Sequence, residues 1–150
     1  MSQAAWVLVI VLVLATAFGV LRLLRDGRFR GTHPVREATS ATPPSPPGPL
    51  EGFGPEVALG ERATLLQFSS AFCAPCRATR RVLGEVADLV PGVRHVEVDA
   101  EHHLDLVRRL GIARTPTTLI LDGAGREVSR ASGAPRKEAV LATLGRVVGA

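Results

Sequence analysis

The chain has 150 residues, 46% of them apolar, with a formal charge of +4 and two cysteines. That length allows one ordinary domain and an appendage. Five arginines between Leu21 and Glu37 face only Asp26 and Glu37, a net +3, while residues 38–150 hold thirteen basic and twelve acidic side chains. The basic balance is therefore a local cluster rather than the property of a domain, and it gives nucleic-acid binding little support. The two cysteines lie three positions apart, too few for a secreted disulfide framework. They also fall short of a closed zinc site, because His33, His95 and the adjacent His102 and His103 are not spaced to supply the missing ligands.

Ala4 to Leu21 reads AAWVLVIVLVLATAFGVL, eighteen residues without a charge. Extended by Leu23 and Leu24, a helix rising 1.5 Å per residue just crosses a hydrocarbon core of about 30 Å. Residues 4–24 are therefore expected to form one transmembrane helix, with Trp6 and the following arginines as interfacial anchors. Ala15-Thr16-Ala17 resembles a signal-peptide cleavage site. However, no basic residue precedes the run and apolar character continues past it, so an uncleaved anchor is expected. Arg22, Arg25, Arg28 and Arg30 follow the run, and the positive-inside rule then places the remainder of the chain in the cytoplasm.

Residues 25–55 are expected to form a basic juxtamembrane segment and a linker. From Gly31 to Pro55 the chain is rich in proline, including Pro43, Pro44, Pro46, Pro47 and Pro49, and poor in large apolar groups. This reads as a semi-extended spacer holding a domain off the membrane. A proline-rich recognition ligand is the alternative, but no PxxP motif with flanking specificity charges supports it.

Residues 56–150 are expected to fold as one domain. Ala63–Ser69 is a short apolar run suited to a buried strand. Val82, Leu83, Val86, Leu89 and Val90 recur at helical spacing through Ala74–Leu89, and Pro91-Gly92 stops that helix. Val93–Val98 alternates as a strand, His102–Leu110 reads as a short helix closing at Gly111, and Thr117–Leu121 is a third strand. Asp122-Gly123-Ala124-Gly125 turns the chain into a strand over Arg126–Ala131, and a last helix starts at Pro135 and runs to about Val148. The order β-α-β-α-β-β-α predicts a mixed sheet flanked by helices, with a parallel pair joined through the long helix.

Phe72-Cys73-Ala74-Pro75-Cys76-Arg77 sits where the first strand meets its helix. Two cysteines at this spacing can close a small disulfide at a helix start. There the free N–H groups and partial positive charge favour thiolate over thiol. Pro75 fits the first turn, where its missing N–H costs nothing. The expected roles are Cys73 as the exposed, low-pKa nucleophile and Cys76 as the deeper, resolving thiol.

Leu65 to Arg77, LLQFSSAFCAPCR, resembles the active-site strand and helix start of the thioredoxin family. Ile112-Ala113-Arg114-Thr115-Pro116-Thr117 resembles that family's second signature, a loop ending in a cis-proline that faces the dithiol. The resemblance covers about Glu56 to Ala150. It implies a thioredoxin-like fold, a cis Thr115–Pro116 bond, and a substrate-binding surface of Phe72, Ala74, Pro75, Thr115 and Pro116. It further implies a thiol–disulfide oxidoreductase that needs no cofactor beyond its cysteine pair and no metal. Its partners would be protein disulfide substrates and an electron-donor reductase.

Several positions depart from the best-known thioredoxins. Phe72 replaces the usual tryptophan, Ser69 an aromatic, Ala74 a glycine, and Gln67 the buried acid that assists the second cysteine. His95 stands where lysine is frequent, and its ordinary pKa of about 6.5 suits a proton relay, although a plain strand histidine is the simpler reading. The charged residues from Glu97 to Arg109 read as a solvated helix face. The leading expectation is a membrane-tethered disulfide reductase with a specialised partner range. The alternatives are an envelope-facing thioredoxin-like protein of cytochrome maturation or disulfide handling, and a non-catalytic interaction module on the same fold.

Overall fold

A computed structural model describes residues 3–25, 27–31 and 58–149. The proline-rich segment from Pro34 to Pro55 lies outside the described residues. The chain begins with α1 (Gln3–Arg25). Within it Ala5–Arg22 is long and apolar enough to cross a membrane by length and composition, and none of that window is buried against the rest of the protein.

β2 (Ala63–Ser69) is buried at every position. A strand covered on both faces needs no polar alternation, which is why its sequence reads as a near-continuous apolar run. It pairs in parallel with β3 (Val93–Asp99) and antiparallel with β4 (Thr117–Asp122). β4 turns into β5 (Glu127–Ser132) through a turn closed by Gly125 N–H donating to Asp122 O. Among the described residues the sheet has the order β1-β5-β4-β2-β3.

β1 (Phe29–Gly31) falls in the segment where the sequence predicts no strand. It pairs antiparallel with β5, Phe29 opposite Ala131 and Gly31 opposite Ser129. Three residues, one an arginine and one a glycine, carry no periodicity; the open edge of β5 supplies the partner that makes them a strand. Gly27, just before it, has φ 71° and donates its N–H to Ser132 O at 2.8 Å. A Cβ at this position would overlap the Ala134 carbonyl oxygen, so the close approach requires glycine.

The helices divide the core in two. α2 (Ala74–Leu89) buries Cys76, Thr79, Leu83 and Val86, a stripe of helical spacing. Leu83 and Val86 meet Leu65, Ile120, and Val140 and Leu144 of α4 (Lys137–Val148), and Phe29 packs against this cluster. On the opposite face Leu66, Phe68, Leu119 and Leu121 are covered by Leu106 of α3 (Leu104–Arg109) and by Ile112. Each fully buried leucine here contributes about 1.5–3 kcal/mol.

Some element limits differ from those the sequence predicts. α3 is shorter than His102–Leu110, with His103 and Leu110 as its N- and C-cap residues. α4 begins at Lys137 with Arg136 as N-cap, leaving Pro135 buried ahead of the helix. Leu89, at the end of α2, is 61% exposed, because the stripe has already turned away from the sheet there.

Candidate active site

β2 ends at Ser69, and the chain turns through Ser70, Ala71 and Phe72 into the first turn of α2. Cys73 is the N-cap residue, and its Sγ accepts the Cys76 N–H at 3.1 Å, the place usually filled by a serine or aspartate oxygen. Pro75 lies in the first turn. Cys73 and Cys76 are joined in a disulfide with Cα atoms 5.2 Å apart. Cys76 is only 2% exposed, whereas Cys73 is partly exposed. A thiolate at Cys73 would meet the free N–H groups and positive end of α2, which stabilise its charge.

Phe72 is 99% exposed, and Ala74 and Pro75 are also exposed. Thr115 is half-buried and Pro116 buried, and the bond between them is cis. Ser70 links this loop to the disulfide. Its Oγ lies 3.1 Å from Thr115 Oγ1, and its carbonyl accepts the Cys73 N–H at 3.3 Å. The disulfide and the Thr115–Pro116 loop therefore form one surface at the end of the sheet.

Under that surface lies a polar network only partly legible in the sequence. Gln67 is fully buried, and its Nε2 donates to Ser69 Oγ at 2.7 Å and to Cys76 O at 3.0 Å. A carbonyl can only accept, so this fixes the amide with Oε1 toward His95 Nε2, 3.1 Å away. His95 therefore donates from Nε2. Burial is the largest influence on its imidazole and holds its pKa below the ordinary value, with Glu97 acting upward and Arg80 downward.

Glu97 is not on the solvated helix face that the sequence suggests. It lies on β3, half-buried, and accepts a bidentate pair from Arg80, Nε–Oε2 2.5 Å and Nη2–Oε1 2.8 Å. Burial pushes its carboxyl up, but hydrogen bonds from Arg80 and Ser69 and the charges of Arg80 and His95 more than reverse this, leaving its pKa lowered. An open cleft of about 390 Å³ joins these groups, lined by Ser69, Ser70, Cys73, Cys76, Arg77, Arg80 and Glu97 among others. Arg80 and Glu97 escape sequence reasoning because they meet across seventeen residues, from α2 to β3. Among the described residues, no group of three or more His, Cys, Asp or Glu side chains could hold a metal ion.

The family model described as Thioredoxin matches residues 50–146. The chain belongs to the thioredoxin family. It is 30% identical over 93 residues to thioredoxin 1 of Nostoc sp., 61% of this chain and 86% of that protein. To thioredoxin H2 of Arabidopsis thaliana it is 26% identical over 83 residues, 55% of this chain and 62% of that one. The X-ray structure of Fasciola hepatica thioredoxin superposes with a TM-score of 0.52 at 25% identity, covering 59% of this chain and 83% of the other. The thioredoxin match begins after β1, so α1 and β1 lie outside the matched residues. In this family a disulfide at a helix start, with one sulfur accessible and one buried, is the redox centre of a thiol–disulfide oxidoreductase.

The position of His95 in this thioredoxin domain gives a pH-dependent stability. Its folded pKa lies below its unfolded value, so the unfolded state binds more protons on acidification. The stability it contributes is present above about pH 6.5 and is lost as pH falls toward the folded pKa. Urea unfolding of His95→Gln is expected to lose less stability between about pH 7 and about pH 5 than the native chain does. An identical slope in both would assign the pH dependence to other groups.

Proposed function

We propose that the chain is a membrane-tethered disulfide reductase acting through its Cys73–Cys76 dithiol. The observation that supports this most directly is the pairing of a partly exposed Cys73 with a buried Cys76 at the start of α2. In the reduced form the Cys73 thiolate attacks one sulfur of a protein disulfide, forming a mixed disulfide and releasing a substrate thiolate. Cys76 then gives up its proton and attacks Cys73 Sγ, which expels the second substrate thiolate and closes the Cys73–Cys76 disulfide. Two electrons from a partner reductase restore the dithiol. No further cofactor is needed.

Phe72, Ala74 and Pro75 present the outer face on which an extended substrate segment docks, and Thr115 and Pro116 form its other wall. Residues 4–24 act as the membrane anchor, and residues 56–150 are the thioredoxin domain. The part of residues 25–55 that follows β1 serves as linker, since Phe29–Gly31 itself is a strand of the sheet. An apolar helix with no burial against its own domain has a bilayer as its natural solvent. The arginines after it favour a cytoplasmic domain.

The test is a trapping experiment. Cys76→Ser removes the resolving thiol, so the reduced variant is expected to accumulate mixed disulfides with substrate proteins through Cys73. The double variant with Cys73→Ser should accumulate none. Absence of adducts with Cys76→Ser would leave the domain as a docking module without turnover.

A further inference from the structure

The join between the apolar helix and the sheet fixes which end of the domain faces the bilayer. α1 ends at Arg25, and Gly27, two residues later, is already buried and bonded to Ser132 O at the end of β5. Two residues span at most about 7 Å. Ser132 O also accepts from Arg114 Nη2 at 2.9 Å, while the next residue, Gly133, donates its N–H to Pro116 O at 2.7 Å. Ser132 is paired with Thr117, the residue after Pro116, and Thr117 is paired with Phe68 near the end of β2. Strands are spaced by about 4.8 Å, so the active-site end of β2 lies only about 10 Å sideways from the strand end that holds the helix. The Asp122–Arg126 turn is at the opposite end of the sheet.

The 29–31 strand ties the chain to the sheet just after this short join. The segment from Gly31 to Pro55, which the sequence suggests as a spacer between membrane and domain, instead lies in the connection between two strands of the same sheet, β1 and β2. Its length therefore does not set the distance from the bilayer; the short connection at Gly27 does. Phe72, 99% exposed, lies at this same end beside Cys73. Arg28, between the helix and β1, is exposed where lipid headgroups would lie.

We infer that the redox site works at the bilayer surface, on cysteine pairs in membrane-proximal segments of integral membrane proteins. This rests on reading α1 as a membrane anchor. A substrate disulfide close to the headgroups is within reach of Cys73 without any movement of the domain, and a large soluble protein would have to enter between the domain and the lipid.

The test uses the full chain in lipid nanodiscs. In Cys76→Ser the sole cysteine is Cys73, which takes a donor fluorophore, and headgroup-labelled lipid carries the acceptor. A flexible Gly-Ser insertion of about 12 residues between Arg25 and Asp26, with a reach of about 19 Å, is expected to lower energy transfer about twofold or more. With both cysteines present, the same insertion should slow reduction of a disulfide peptide anchored at the headgroups and leave reduction of a small soluble disulfide reagent unchanged. Equal transfer with and without the insertion, or equal rates on the anchored peptide, would overturn the inference while the anchor stands. Release of the native chain from membranes by alkaline wash would overturn the anchor itself and the inference with it.

Discussion

Substitution of Gln67 by aspartate is expected to make the domain lose stability as pH rises and to speed the release of substrate from Cys73. Gln67 is fully buried and gives both amide hydrogens away, to Ser69 Oγ and to Cys76 O. An aspartate cannot replace those donors when ionised, and burial disfavours its charge, so its pKa rises above the unfolded value of about 3.9. The folded state then holds a proton that the unfolded state has lost. The cost is absent below the unfolded pKa, grows as pH rises, and is complete above the folded pKa. Each pH unit by which burial lifts that pKa costs about 1.4 kcal/mol at neutral pH. Once ionised, the carboxylate beside Cys76 can accept the thiol proton, which the glutamine amide cannot. General-base assistance is worth about 10²–10⁴-fold when well placed, and about tenfold faster resolution of a mixed disulfide is expected even for an imperfect fit. Urea titrations at several pH values and stopped-flow resolution rates check both parts. A stability deficit independent of pH would show that the position is not as dry as its burial indicates.

Removal of β1 is the second large effect expected. A fragment starting at Glu51 keeps all but the first of the residues that match the thioredoxin family but lacks the strand paired with β5. It loses the Phe29 side chain from the core cluster formed by Leu65, Ile120 and Val140, and it bares the edge of β5. Burial of a phenylalanine is worth about 1.5–3 kcal/mol, and Phe29 is half-buried, so a loss of about 1–3 kcal/mol relative to a fragment starting at Gly27 is expected. The bare edge should also raise self-association. Equal unfolding midpoints for the two fragments would mean that β1 adds nothing to the sheet.

The contrast between these two sites shows what the sequence makes legible. β2 and α2 appear at the limits expected from residue patterns, Ala63–Ser69 and Ala74–Leu89, because a doubly buried strand and an amphipathic helix each impose a period on their own residues. β1 imposes none. Its residues become a strand through a partner about a hundred positions away, with Gly27 allowing the close approach. Within the site, the cysteine pair is local and plain, as is Pro116 once the resemblance is seen. The contacts of Gln67 with His95 and of Arg80 with Glu97 cross between elements that periodicity places only separately, so their partners stay hidden until the sheet register is known. Glu97 shows the error this produces. Its charge suggested a wet surface, whereas β3 turns it inward toward Arg80 beside the disulfide.

The measurement that bears most directly on the proposed reductase is the reduction potential of Cys73–Cys76 in the full chain, equilibrated in nanodiscs against dithiothreitol or glutathione. The full chain is needed because a fragment from Glu51 lacks β1. A value near about −270 mV, on the scale where thioredoxin lies, is expected for a dithiol that donates electrons to substrate disulfides. A value toward about −120 mV, that of a strong oxidant, would contradict the proposed direction of electron flow and with it the cytoplasmic placement of the domain.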